Sequence, residues 1–343
     1  KIIISLGILS LLFMSSMFIF HYYKTYYSEN TNFNDESIFI YIKSGTGLNH
    51  FQKQITPFLK DSSTFFNAAY KTKYVMNIKP GKYEIKKGFS NKEIINSLRS
   101  KNIPVKVTFN NLERIEDLAS KISKMIEADS ISLMKSFMDT DFLLNNQLTK
   151  ESVFAIFLPN TYEFYWNTDS TQFRDRMLNQ FNTFWNSSRL NKADSIDMSP
   201  VQISILASIV QRETPKPDER PTISGVYFNR LKKRMKLQAD PTVIYSIKEK
   251  KGFDVKIRRV LYRDLKINSP YNTYKFRGLP PGPIYMPDLI SIESVLNLEN
   301  HNYLFFVADV SRPGYHIFAK NLFQHNKNKK QYTSWLRKNK IRR

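Results

Sequence analysis

Apolar and polar positions divide this chain into segments before any single residue is considered. From Ile2 to Phe20 it is almost wholly apolar, interrupted only by Gly7 and the small hydroxyls Ser5, Ser10, Ser15 and Ser16. As a helix this run is about 28 Å long, close to the hydrocarbon thickness of a bilayer. A cleaved signal peptide would have a shorter apolar region ending in a small-x-small site. Here the run leaves through Phe18, Phe20, Tyr22 and Tyr23, an aromatic belt suited to the headgroup zone. Residues 1–21 are therefore expected to form an uncleaved transmembrane anchor, and the polar, aromatic stretch 22–36 a tether. Lys1 and Lys24 flank the span so evenly that charge leaves its orientation open.

Shorter periods follow. Ile38–Ile42 reads as a strand ended by Ser44-Gly45-Thr46-Gly47, with helical stretches around 48–59 and 63–74. Lys79-Pro80-Gly81 turns into a second strand through Tyr83 and Ile85. Ser90 with Glu93 makes a capping box, and Phe89 with Ile94 has the spacing of a hydrophobic staple, so a helix begins at Ser90. Val105–Phe109 alternates as a half-buried strand. Residues 37–109 are thus expected to be a small α+β module. Beyond it, Ile115, Leu118, Ala119, Ile122 and Ile126 repeat at helical spacing, as do Phe173, Met177, Phe181 and Phe184, and both stripes read as core. Between them Phe157–Phe164 is an aromatic loop or strand. The fold class is α+β throughout, with a larger α+β domain over 110–343 whose main motifs lie at 150–326 and which ends in a basic tail.

Composition adds limits. An apolar content of 41% over 343 residues suits two or three folded domains and excludes wholesale disorder. The net charge of +22 raises nucleic acid as a partner, but apart from the Lys327–Arg343 tail the cations are scattered and no nucleic-acid module appears. No nucleic-acid partner is expected. A basic exterior beside anionic lipid or an anionic wall polymer accounts for the same charge. Cysteine is absent, which removes a disulfide framework and thiolate metal ligands. His301, His316 and His325 are too spread to form a metal set, and there is no HExxH, phosphate loop or GxSxG elbow.

The chemistry gathers after Ser199-Pro200, a helix start with proline in its first turn. Leu206, Ile209, Val210 and Glu213 fall at i, i+3, i+4 and i+7, so Glu213 ends the apolar face, and Pro215 and Pro217 end the helix. A carboxyl on a buried face has its ionised form penalised, and its pKa rises toward what a general acid needs. The same residue could instead pair with Arg220 or Arg230, and pattern alone leaves both readings open. Downstream, Asn229-Arg230-Leu231 closes a helix and Gln238 precedes Asp240-Pro241-Thr242, where Asp240 reads as a cap. Tyr245 follows one turn later. Tyr271-Asn272-Thr273-Tyr274 and Gly278-Leu279-Pro280-Pro281-Gly282-Pro283 supply amides, hydroxyls and aromatic faces of the kind that line sugar sites.

Taken in order, Ala207–Thr214, Val226–Leu231, Met235–Tyr245, Tyr271–Tyr274, Gly278–Ile284 and Tyr303–Ala308 resemble the signature of the MltG/YceG family of endolytic murein transglycosylases. Leu158-Pro159-Asn160-Thr161-Tyr162 resembles that family's Pro-Asp-Thr-Tyr element. The resemblance implies a LysM-like module at 37–109 and a catalytic domain beyond it. It further implies a single-pass protein of the bacterial cytoplasmic membrane, with its enzyme domain on the extracytoplasmic side. Such enzymes cut nascent peptidoglycan strands, leave 1,6-anhydro-N-acetylmuramic acid ends and act beside peptidoglycan synthases as terminators of elongation. Glycan strands, the membrane and the synthases are the implied partners, and no cofactor or metal is implied. Glu213 is the implied acid/base, with Gln238, Asp240, Thr242, Tyr245, Asn272, Tyr162 and Asn229 as substrate-binding residues.

Four positions depart from the family pattern. Gln211 stands where a glutamate is frequent, which leaves Glu213 as the carboxyl of that motif. Asn160 replaces an aspartate, and Asn110-Asn111 replaces Glu-Gly. A hydrolase pairing Glu213 with Asp240 or Glu163, or a non-catalytic wall-binding scaffold, are the competing readings. An ordinary glycosidase needs two carboxylates, whereas a lytic transglycosylase uses one because the muramic 6-hydroxyl is the nucleophile.

Overall fold

The first element of the computed structural model, which describes residues 2–339, is a helix of 25 residues, α1 (Ile2–Tyr26). Lys1 and residues 340–343 of the basic tail lie outside the described residues. From Leu6 to Phe20 the large apolar side chains of α1 are exposed, and the helix is long and apolar enough to cross a membrane. The chain then divides into two compact units. The first comprises residues 1–107, 123–128 and 162–169, and the second residues 108–122, 129–161 and 170–343.

In the first unit, β1 (Ser37–Ile42) pairs antiparallel with β2 (Gly81–Lys86), placing Ile40 opposite Tyr83. Between the two strands lie α2 (Leu48–Ile55) and α3 (Ser62–Lys71), and α4 (Asn91–Ser100) follows. Phe51, Ile55, Phe65, Ala68, Tyr74, Ile94 and Leu98 fill the space between sheet and helices. The reciprocal Ser90–Glu93 capping box forms as its spacing predicts. Part of the stretch 22–36 packs on the same unit. Helix α1 runs on to Tyr26, and Asn30 donates from Nδ2 to Asn91 Oδ1 at 2.7 Å, while Asn91 donates to the Thr25 carbonyl at 2.9 Å. Thr25, Asn30 and Thr31 are buried, so these residues within 22–36 pack on the first unit. Their polarity, which suggested solvent, serves these internal hydrogen bonds.

A ribbon of β3 (Pro104–Phe109) and a later strand, Asn160–Tyr165, belongs partly to each unit. The second unit then takes α5 (Ile115–Ile122), α6 (Ser130–Phe137) and α7 (Thr140–Asn145), ahead of that later strand, β4. Next come α8 (Ser170–Phe184), α9 (Ser187–Ser195), α10 (Pro200–Glu213), α11 (Arg220–Lys232) and α12 (Asp240–Lys251). Helix α13 (Leu289–Leu296), the antiparallel hairpin of β5 (Phe305–Ala308) with β6 (His316–Ala319), and α14 (Leu322–Lys338) complete it.

Helix α10 is the centre of this unit. Ser199 and Gln202 form its capping box with Pro200 in the first turn. Every residue from Ile203 to Val210 is buried, because α9, α11, α12 and α13 surround the helix. The sequence suggested one apolar face, but here the helix is apolar nearly all round, as a helix enclosed by others must be. Ser204 and Ser208 tolerate this burial by donating to carbonyls one turn back, Pro200 and Ile205. Ser208 also accepts the Ile284 N–H at 3.1 Å, which ties the proline-rich loop to the helix.

Candidate active site

Glu213 is the last residue of α10, where the helix leaves the core, so its side chain is half-buried. Its nearest bonded partner is Tyr227 on α11, whose hydroxyl donates to Glu213 Oε2 at 3.0 Å. Tyr227 is itself only 1% exposed, and both burial and the neighbouring glutamate hold its proton in place, so it remains a donor. Burial pushes the Glu213 carboxyl up to about 7, with the negative charge of Asp240 acting in the same sense. The Tyr227 hydrogen bond, His316 and Arg230 pull the other way without cancelling it.

The ion-pair alternative is removed by what the arginines do. Arg220 is bound to Asp288 at 2.9 Å and to Ser291, at the start of α13. Arg230 spends its N–H groups on carbonyls: Leu304 at 2.6 Å, Leu237 at 2.9 Å and Lys236 at 3.2 Å, with Gln238 Oε1 at 3.2 Å. Arg230 acts on Glu213 through its charge alone, and neither arginine forms a salt bridge with it. Gln211, the departure from the family pattern, accepts the Asp288 N–H at 2.6 Å and so braces α13 instead of serving as a second acid.

Asp240 differs from its expected role. The residue before α12 is Ala239, and Asp240 lies within the first turn with its side chain exposed. Its carboxylate accepts the Tyr274 hydroxyl at 2.6 Å. A side-chain cap has little to bond here: Pro241 has no N–H, the Thr242 N–H goes to the Ala239 carbonyl at 3.1 Å, and Thr273 accepts the Ala239 N–H at 3.0 Å. Asp240 is therefore a surface carboxylate close enough to Glu213 to raise its pKa.

The other expected substrate contacts separate into groups. Gln238 is exposed beside Asp240, in a left-handed backbone conformation with φ 51°. Asn229 is half-buried and donates to the carbonyls of His301 and Tyr303. Thr242 and Asn272 are fully buried, which removes them from direct contact with a sugar. Thr242 shares a 2.8 Å bond with Thr273, while Asn272 donates to the Leu265 and Ile267 carbonyls and accepts the Tyr274 N–H. Both support the loop that presents Tyr274. Tyr245 packs against Tyr271 with centroids 4.6 Å apart and lines a small recess with Glu113, Arg212 and Lys248. Tyr162 belongs to the first unit and is buried there, whereas the groups around Glu213 all come from the second. Gly278, Leu279 and Pro280 line a different cavity, of about 620 Å³, with Met198, Ile205, Phe228 and Leu231.

Sequence reasoning placed Tyr274 only in a loop of the kind that lines sugar sites, and assigned no role to Tyr227 or to the pair His316–Glu219. Glu219 is buried and accepts both the His316 backbone N–H at 2.6 Å and a 2.8 Å bond to its ring Nδ1, which fixes β6 against the start of α11. Phe306 lies between this histidine and Tyr227, with centroids 5.0 and 5.9 Å away. The only available signal was aromatic density in the motifs, which gives no pairing.

Fold and site together define an α+β protein built around one poised carboxyl at the end of a buried helix. Comparison with known proteins then gives the family: the YceG-like family model matches residues 40–331, and the chain belongs to that family. The endolytic murein transglycosylase of Bacillus subtilis is 31% identical over 294 residues, covering 80% of this chain and 78% of that protein. The endolytic murein transglycosylase of a Streptococcus pneumoniae serotype 2 strain is 38% identical over 127 residues, which are 37% of this chain and 23% of the pneumococcal protein. A crystal structure of a YceG-like protein from Listeria monocytogenes superposes with a TM-score of 0.54 at 24% identity, covering 86% of this chain and 99% of that one. This last likeness concerns the fold.

Proposed function

We propose that this chain is a lytic transglycosylase that cuts peptidoglycan strands internally, with Glu213 as its single acid/base. The relatives' activity supports the reaction class. The observation that carries the residue assignment is a half-buried carboxyl with pKa near 7, hydrogen-bonded on one oxygen by Tyr227 and free of any arginine pair.

In the proposed reaction, protonated Glu213 gives its proton to the glycosidic oxygen as the bond from the muramic C1 breaks. The muramic 6-hydroxyl attacks C1, and the Glu213 carboxylate takes the proton of that hydroxyl. No water is consumed, one chain ends in 1,6-anhydro-N-acetylmuramic acid, and the other regains a free 4-hydroxyl. Tyr227 holds Oε2, so Oε1 is the oxygen that faces substrate. Asp240, steadied by Tyr274, sits where a negative charge favours the oxocarbenium-like transition state. Gln238 and Asn229 contribute amides to the same surface. The α1 helix anchors the chain in the cytoplasmic membrane with the enzyme unit outside. The 37–109 module is a LysM-like accessory, and the synthases that make the strand are the working partners.

The test is digestion of peptidoglycan by the full chain, with mass analysis of the new ends. Anhydro ends are expected, and Glu213→Gln should lower the rate by a factor of about 10³ or more. Undiminished cleavage by the variant would sink the assignment. Reducing ends would move the reaction to hydrolysis, with Asp240 as the second carboxylate.

A further inference from the structure

Helix α14 has a face that the active site does not use. Ten lysines and arginines follow Asp309 and no acidic residue does, so this last stretch supplies close to half of the net charge of +22. Within α14, His325, Asn328, Tyr332 and Leu336 are half-buried and recur every three or four residues, which turns that side onto the β5–β6 hairpin. His325 stacks on Phe305 with centroids 5.2 Å apart. The opposite side carries Lys327, Lys330, Arg337 and Lys338, all exposed. At its start Phe323 is 83% exposed and Leu322 57% exposed.

We propose that this outward face of α14 docks on an anionic phospholipid surface. Four cations in one stripe supply the attraction, and the exposed Phe323 and Leu322 supply apolar groups that enter the headgroup boundary. An anionic wall polymer would use the cations but would gain nothing from the two apolar side chains, which favours lipid. The site also need not be strong. Anchoring through α1, as proposed above, would raise the effective concentration of α14 at that membrane. Docking would act on the active unit directly, because α14 packs on the hairpin that carries His316 and Phe306. The inference does not depend on which bond the enzyme cleaves.

The chain has no cysteine, so Ser334→Cys, in the middle of the stripe, gives one labelling position for an environment-sensitive fluorophore. The labelled full chain is reconstituted into vesicles of phosphatidylcholine alone or mixed with phosphatidylglycerol. The expected result is a blue-shifted, quencher-protected signal only with phosphatidylglycerol, reversed by salt. Replacing Lys327, Lys330, Arg337 and Lys338 with glutamine should weaken docking on the order of a thousandfold. Replacing Lys43, Lys71, Lys86 and Lys101, exposed cations of the first unit, should leave it intact. The proposal is overturned if both lipid mixtures give the same signal, or if the two sets of replacements act alike. It is overturned equally if soluble poly(glycerol phosphate) shifts the probe and anionic vesicles do not.

Discussion

In the proposed reaction Glu213 must be neutral when the glycosidic oxygen needs a proton and charged a moment later, and its surroundings set that balance at a cost in stability. A carboxyl raised from 4.5 to about 7 holds its proton in the folded chain after the unfolded chain has released it. Stability from this group is therefore fully present below about pH 4.5, declines as pH rises, and is gone above about 7. The shift corresponds to a penalty of at most about 3 kcal/mol at higher pH. Glutamine keeps an acceptor for Tyr227 and carries no charge. Glu213→Gln should thus match the parent in thermal unfolding near pH 4 and exceed it by about 1–3 kcal/mol near pH 8, while losing the activity proposed for Glu213. Equal stability at both values would mean that the carboxyl is not desolvated. Tyr227→Phe tests the other side of the balance. The lost hydrogen bond stabilised the carboxylate, so the pKa rises further and the alkaline limb of the rate profile moves up by about one unit. A limb that stayed in place would detach Tyr227 from the acid.

At the scale of elements, the site depends on loops held by single polar groups, and this is where sequence reading reaches its limit. The start of α10 was legible because its signals are local: Ser199, Pro200 and Gln202 lie within four residues of one another. The same local logic misassigned Asp240, since the hydroxyl that occupies its carboxylate comes from Tyr274, far along the chain. Arg230 is a similar case. Its position near the end of α11 was readable, but its bonds to Leu304 and to 236–238 span separate elements. Gly282 in the proline-rich loop is testable at this scale. A Cβ there would fall on the Glu151 carbonyl, backbone that cannot swing aside. Gly282→Ala should cost about 1–3 kcal/mol in denaturant unfolding and displace the loop from Ser208. A neutral substitution would show that the loop has room to shift.

For the molecule as a whole, the unexpected feature is how the chain leaves α1. A polar stretch after an apolar helix resembles a spacer, and nothing in its periodicity reveals that Asn30 and Thr25 are reserved for Asn91. Likewise, no local pattern marks 123–128 and 162–169 as members of the first unit, because their partners, such as Ser44 for Glu127 and Asn102 for Asn167, are remote in sequence. The consequence concerns where the membrane helix can be separated from the rest. A chain beginning at residue 22 keeps Thr25, Asn30 and the short pairings Glu29–Ser90 and Thr31–Leu59. One beginning at residue 37 loses them all and leaves the fully buried Asn91 with Thr64 as its remaining partner. An unsatisfied buried amide costs about 1–3 kcal/mol, and the lost packing of Tyr26 and Phe33 adds to it. The longer fragment should therefore unfold at a clearly higher temperature, with the amides of α4 protected from hydrogen exchange, and the shorter should lose that protection first. Equal melting of the two would restore residues 22–36 to the role of a passive spacer.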